Sequence, residues 1–126
     1  MISLTSPKEV LIYYYPQCGT CRNALKSLQQ KGVEVEKIHL FEAPPEREQL
    51  KKMIEQSGLD IKKWFNTSGE VYKEQGLKDK LPQMTNEQKI ELLASNGRLI
   101  KRPIVTDGIR VTVGYKEEQY EQEWGH

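Results

Sequence analysis

Residues Val10 to Leu40 constrain the fold more than any other part of this chain. They open with an unbroken apolar and aromatic run, Val10-Leu11-Ile12-Tyr13-Tyr14-Tyr15, which reads as a buried strand. After Pro16 and Gln17 comes Cys18-Gly19-Thr20-Cys21. Cys21, Ala24, Leu25 and Leu28 then fall on one face of a helix, and Gly32 is its stop signal. From Val33 to Leu40 the chain alternates, with Val33, Val35, Ile38 and Leu40 inward and charges between them. Strand, helix and strand in this order form a β-α-β unit, which predicts parallel strands and a right-handed crossover.

The rest of the chain reads as a helical middle followed by a hairpin and a last helix. Pro44-Pro45 with Glu46 predicts the first turn of a second helix, whose stripe is Leu50, Met53 and Ile54 and whose end is Gly58. A short helix is expected over Ile61–Phe65, a loop over Asn66–Gly69, and one or two helical turns over Glu70–Gly76. Thr85-Asn86-Glu87-Gln88 is a capping box for a helix holding Ile90, Leu93 and Ala94, stopped by Asn96-Gly97. Pro103–Thr106 and Ile109–Val113 are two short strands joined at Asp107-Gly108, a tight-turn signal, and Lys116–Trp124 is a final helix. The order βαβ, helices, ββα predicts an α/β protein with a four-stranded mixed sheet flanked by helices. No repeat, low-complexity stretch or linker interrupts it, so residues 1–126 are expected to form one domain with a helical insertion at about 42–100.

Composition narrows the function classes. Hydrophobic residues make up 37% and charged residues 29%, as in a soluble globular protein. A net charge of +1 offers no electrostatic case for direct nucleic-acid or anionic-membrane binding. The longest apolar run is the one from Val10 to Tyr15, far short of the roughly 20 residues of a membrane span. Met1 to Pro7 has neither a basic nor an apolar leader segment, so a cytoplasmic location is expected. In that compartment a lone cysteine pair is more often redox-active than structural.

Cys18 and Cys21 are the only cysteines. Placed where a strand turns into a helix, Cys18 stands at or just before the first turn and Cys21 one turn further in. The first is then the exposed nucleophile and the second the partly buried resolving thiol. Backbone N–H groups and the dipole of a helix start favour thiolate over thiol. The amides of Gly19 to Cys21, with Thr20, would hold a thiolate or an anionic substrate there, and Arg22 beside Cys21 would either add a positive field or, as arginines at helix starts often do, point to solvent. Three alternatives stay open: a structural disulfide, half of a zinc site with His39 or His126, and coincidental spacing of two buried thiols. No other metal-ligand pattern is present. Tyr13, Tyr14 and Tyr15 read as strand packing. Trp64 and Phe65 read as core or a lid, and Lys51, Lys52, Lys62 and Lys63 as solvated faces. His39 reads as a strand residue without a catalytic role.

Four ordered segments resemble the ArsC/Spx family, the thioredoxin-like proteins related to glutaredoxin-coupled arsenate reductases. They are Tyr15-Pro16-Gln17-Cys18-Gly19-Thr20-Cys21-Arg22-Asn23; Phe65-Asn66-Thr67-Ser68-Gly69 with Tyr72; Leu99-Ile100-Lys101-Arg102-Pro103-Ile104; and Val113-Gly114-Tyr115 with Glu117. The similarity runs from about Val10 to Trp124 and is strongest to the short branch of the family. It implies a thioredoxin-like sheet with the helical insertion between its βαβ and ββα parts, and a cis Pro103 facing the cysteine loop. It further implies Cys18 as the nucleophile toward arsenate, Arg102 as an oxyanion ligand, and thioredoxin or glutathione/glutaredoxin as the external reductant.

The chain departs from the arsenate reductase pattern in two ways. The further arginines of those enzymes are missing: the middle segment offers Asn66, and after the hairpin stand Val113 and Gly114, with Arg110 out of register. Position 21 is cysteine where those enzymes commonly carry serine, which implies an internal disulfide in place of a glutathione mixed disulfide. The Spx-type regulators share C-x-x-C and the arginine–proline motif and use the disulfide as a switch on RNA polymerase. They carry a longer C-terminal segment than this sequence, which ends at His126. The sequence therefore predicts a thiol–disulfide oxidoreductase of arsenate reductase-like type, with a redox-switched regulator as the alternative.

Overall fold

The strand expected from the Val10–Tyr15 run is the one around which the sheet is built. The computed structural model describes residues 9–125; the readings resting on Met1–Pro7 and on His126 lie outside them. Strand β1 is Glu9–Tyr14, helix α1 Gly19–Gln30, strand β2 Glu34–His39, strand β3 Ile104–Thr106, strand β4 Val111–Val113 and helix α6 Glu117–Trp124. The sheet order is β2-β1-β3-β4. β2 runs parallel to β1 with Val10 opposite Val35, β3 runs antiparallel with Ile12 opposite Val105, and β4 pairs antiparallel with β3. The four-stranded sheet is thus the one the element order predicts, and its thioredoxin-like form is the one the resemblance implied.

Contacts divide the chain into two compact units, one up to His39 together with the chain from Arg102 onward, the other Leu40–Lys101. The first holds the sheet. Val10 and Ile12 from β1, Ala24 and Leu28 from α1, Val33, Val105, Tyr120 and Trp124 pack together there, with Tyr14 against them. Period-2 alternation sends Val10, Ile12 and Tyr14 to this face and Leu11 and Tyr13 to the other. Full burial of each large apolar side chain stabilises by about 1.5–3 kcal/mol. The two polar tips find partners, as buried aromatic heads must: Tyr120 donates to the Gly114 carbonyl at 3.2 Å and Trp124 Nε1 to Thr112 Oγ1 at 3.2 Å.

The Gly114-Tyr115…Glu117 signature fastens α6 to α1. Gly114 takes φ +80°, a left-handed conformation that favours glycine. Its amide donates to the Pro103 carbonyl at 2.9 Å. Tyr115 meets the Tyr120 ring edge-on at 4.8 Å. Glu117 accepts from Ser27 Oγ at 2.7 Å and from the Tyr115 hydroxyl at 2.7 Å, and it pairs with Lys31.

The second unit is helical, with α2 Arg47–Ser57, α3 Glu70–Glu74, α4 Leu77–Lys80 and α5 Asn86–Ser95. Trp64 and Phe65 are both buried in it. Phe65 bridges to Ile100 and lies 6.5 Å from the Tyr72 ring, so the middle motif builds this unit's core. The Thr85 capping box is formed, Gln88 N donating to Thr85 Oγ1 at 3.1 Å and Thr85 N to Gln88 Oε1 at 2.9 Å.

Three local expectations need correction. Pro44-Pro45 lies outside the second helix: Glu46 is the extended N-cap and its amide donates to Gln49 Oε1 at 3.3 Å, while a residue before proline is held extended. The Glu70–Gly76 turns stop at Glu74, and Gly76 at φ +62° starts α4, which the sequence reading missed. The hairpin is centred one residue later than Asp107-Gly108. Asp107 N donates to the Arg110 carbonyl, and Thr106 pairs with Val111. Gly108, at φ +96°, is therefore the first central residue of the turn. The Asp107 carboxylate fixes this register by accepting from the Ile109 amide at 2.9 Å and the Arg110 amide at 2.7 Å.

Candidate functional site

Chain direction delivers Cys18 to the carboxyl end of β1. Tyr15-Pro16-Gln17-Cys18 is a turn closed by the Cys18 amide donating to the Tyr15 carbonyl at 3.0 Å, with proline in its favoured second place. Cys18 is then the N-cap of α1, with φ −86° and ψ 118°, and its carbonyl accepts the first helical bond, from Arg22 N at 3.1 Å. Cys18 is half-buried, Cys21 is buried, and both are free thiols.

The two sulfurs have opposite electrostatics. Burial alone would push the Cys18 thiol up. The Cys21 amide and the Cys21 thiol both hydrogen-bond to its sulfur, and the Arg102 guanidinium adds a charge and a further hydrogen bond. These outweigh burial and hold Cys18 below the ordinary cysteine value. Burial, donation to the Cys18 sulfur and the charge on that sulfur together push the Cys21 thiol up to about 12, against a backbone hydrogen bond from Tyr15 and the Arg102 charge, which pull it down. One thiol is poised to ionise and the other to keep its proton.

Arg102 and Pro103 stand in the same unit as the cysteines. The Arg102–Pro103 bond is cis, as the resemblance implied. Arg102 is the cation that acts on Cys18. Arg22 has an exposed side chain, the second of its two sequence readings; Gly19 and Thr20 are exposed in the first turn. Arg22 does lie along the helix start, Nη2 standing 3.9 Å from where a Cβ on Gly19 would be. Arg110 is engaged elsewhere, with Asp107 at 3.2 Å and over the Trp124 ring at 5.1 Å. His39 ends β2. Among the described residues no cluster of three or more histidine, cysteine or acidic side chains has metal-binding geometry. A cleft of about 680 Å³ lies at the start of β1 and β2, lined by Glu9, Glu34, Glu36 and Asp107. Neither cysteine lines it; Cys18 stands at the other end of the strands.

Sequence reasoning missed Tyr15. It lies past the last paired residue of β1, and its ring faces the Arg102 guanidinium, whose carbon is 5.9 Å from the ring centroid. The signal was available: the run of three tyrosines outlasts the strand, and Pro16 ends it.

A half-exposed cysteine capping the first helix, a buried second cysteine one turn on, and a cis proline at the head of an antiparallel strand define a thioredoxin-like protein with a thiol pair at its first helix. The chain belongs to the ArsC family, whose model matches residues 13–123. It is 56% identical to the uncharacterised protein YusI of Bacillus subtilis over 89% of this chain and 95% of that protein. It is 36% identical to an arsenate reductase of Acidiphilium multivorum over 76% of this chain and 67% of the enzyme. It is 30% identical to the regulatory protein MgsR of Bacillus subtilis over 86% and 84% of the two chains. Among solved structures, an ArsC-family-related protein of Bacteroides fragilis superposes with a TM-score of 0.89 at 45% identity, covering 93% of this chain and 98% of that one. Among the described residues no helix is long and apolar enough to cross a membrane.

Proposed function

We propose that this chain is a thiol–disulfide oxidoreductase of the arsenate reductase-like type, acting as one ArsC-type domain in the cytoplasm. Cys18 is its nucleophile and Cys21 its resolving thiol. The observation that carries the reading is the set of donors converging on one half-exposed sulfur: the Cys21 amide, the Cys21 thiol and the Arg102 guanidinium. The Cys18 thiolate attacks one sulfur of a substrate disulfide, forming a mixed disulfide and expelling a thiolate. The Cys18 charge, which had held the proton on Cys21, is then gone. Cys21 passes its proton to a departing thiolate and attacks the Cys18 sulfur. The Cys18–Cys21 bond forms, the second substrate thiol leaves, and the substrate has gained two electrons. An external thiol reductant, thioredoxin or glutathione, restores the pair. Gly19, Thr20, Arg22, Arg102 and Pro103 line the substrate position.

Arsenate is the narrower substrate hypothesis. A thiolate beside a guanidinium fork suits a tetrahedral oxyanion, and the similarity to arsenate reductases supports it. Arg110, tied to Asp107, contributes nothing to that site. The alternative, a redox-switched regulator binding RNA polymerase, is favoured by the likeness to MgsR and uses the same pair. The deciding experiment compares wild type, Cys18→Ser and Cys21→Ser in turnover of a low-molecular-weight disulfide and of arsenate, with thioredoxin or glutathione supplied. Disulfide turnover lost in both variants is expected. No turnover of either substrate, together with capture of RNA polymerase only after oxidation, would replace the enzyme by the regulator.

A further inference from the structure

We propose that Tyr15 is a positioning residue whose ring face carries the Arg102 guanidinium and holds it against the Cys18 sulfur. The proposal rests on the reading of Cys18 as the reacting thiol. Arginine has a long, rotamer-rich side chain, and a guanidinium acts on a thiolate only while it stays beside it. An aromatic face restrains a weakly hydrated guanidinium without competing for the thiolate. The Arg102 guanidinium carbon lies 5.9 Å from the Tyr15 ring centroid, within cation–π range.

The ring is itself fixed from two sides. The Tyr15 hydroxyl donates to Gln17 Oε1 at 2.9 Å. His39, from the end of β2, meets the ring at 5.6 Å and 79°, an edge-to-face contact. Tyr15 also opens the turn that places Cys18, through the hydrogen bond from the Cys18 amide to its carbonyl. Packing does not explain the side chain: Tyr14 covers the core of this unit and Tyr13 is buried on the opposite face, whereas Tyr15 is half-exposed beyond the strand. Its face is turned to a cation that reaches the sulfur.

The test follows alkylation of Cys18 by iodoacetamide against pH in the full chain, read by mass at that residue. Tyr15→Leu removes the face and is expected to raise the midpoint by about half a pH unit, the low end for a cation–π contact. Tyr15→Phe and Tyr15→Trp keep a face and are expected to stay near wild type. In an Arg102→Met background Tyr15→Leu should add nothing, since the ring acts through the guanidinium. Should Tyr15→Leu fail to fold, Tyr15→Trp alone and in the Arg102→Met background decides: a midpoint raised in both overturns the proposal. An unmoved Tyr15→Leu midpoint, or one that still rises without Arg102, also overturns it. A wild-type midpoint at the free-thiol value of about 8.5 would instead overturn the underlying reading of Cys18.

Discussion

Helix α1 carries a polar cluster at each end, and the two ends shift a proton equilibrium for different purposes. At the start, the Cys21 amide and thiol and Arg102 lower the Cys18 thiol against burial. At the end, Lys31, Tyr115 and Ser27 hold Glu117 down to about 2. Lys31 reaches Ser27 Oγ at 2.9 Å and Glu121 at 3.0 Å, and a cation suits a helix C-terminus as a thiolate suits its start. Glu117 is charged at neutral pH with or without this help, so its shift fastens two helices and changes no reactivity. A thiol ordinarily protonated at neutral pH gains thiolate, and with it reactivity, as its pKa falls toward the ambient pH. A shift marks chemistry when it moves a group toward its working pH.

The largest expected effect would break the comparison outright. Cys18→Ser should abolish disulfide turnover, and Cys21→Ser should halt at a mixed disulfide visible by mass spectrometry. Turnover surviving Cys18→Ser would make the start of α1 as structural as its end. Leu28→Ala, in the core between the ends, should cost about 2–5 kcal/mol in denaturant unfolding, the range for a fully buried leucine. It should leave the pH midpoint of Cys18 alkylation in place; a moved midpoint would show that the site depends on helix packing as well as on its immediate donors.

Arg102→Met should raise that midpoint by about one pH unit, the low end for loss of an adjacent opposite charge, with little change in thermal stability. The smallest effect belongs to Glu117→Gln. A carboxylate lowered from 4.5 to about 2 stabilises the fold fully above pH 4.5 and loses that contribution as pH falls through 2. The variant should therefore show a flatter decline in stability across that acid range, and an unchanged Cys18 alkylation profile. An altered alkylation profile would mean that the two ends communicate.

Much of this was legible because it is local. The run to Tyr15, the helical face of Cys21, Ala24 and Leu28, the alternation from Val33, and the Thr85 box each carry their own signal. The cysteine pair and Arg102-Pro103 were legible as motifs. The hairpin centre was not, because Asp107-Gly108 and Gly108-Ile109 are both plausible turns and a side-chain carboxylate chose between them. Pro44-Pro45 suits a lead-in as well as a first turn. Which arginine acts on Cys18 was not legible either: Arg22 is adjacent in sequence, while Arg102 arrives through the pairing of β3 with β1. Tyr15 was hidden by its neighbours, two tyrosines that do pack.

The sheet order has a consequence for how a cell makes this protein. β1 lies between β2 and β3, yet β3 comes from the far end of the chain. During vectorial synthesis, β1, α1 and β2 can meet early, and both thiols emerge with them. The second flank of β1, together with the guanidinium that lowers Cys18, is translated only after the whole helical unit. The nascent chain therefore carries a cysteine pair without Arg102, and the guanidinium joins Cys18 only when the last strands close the sheet.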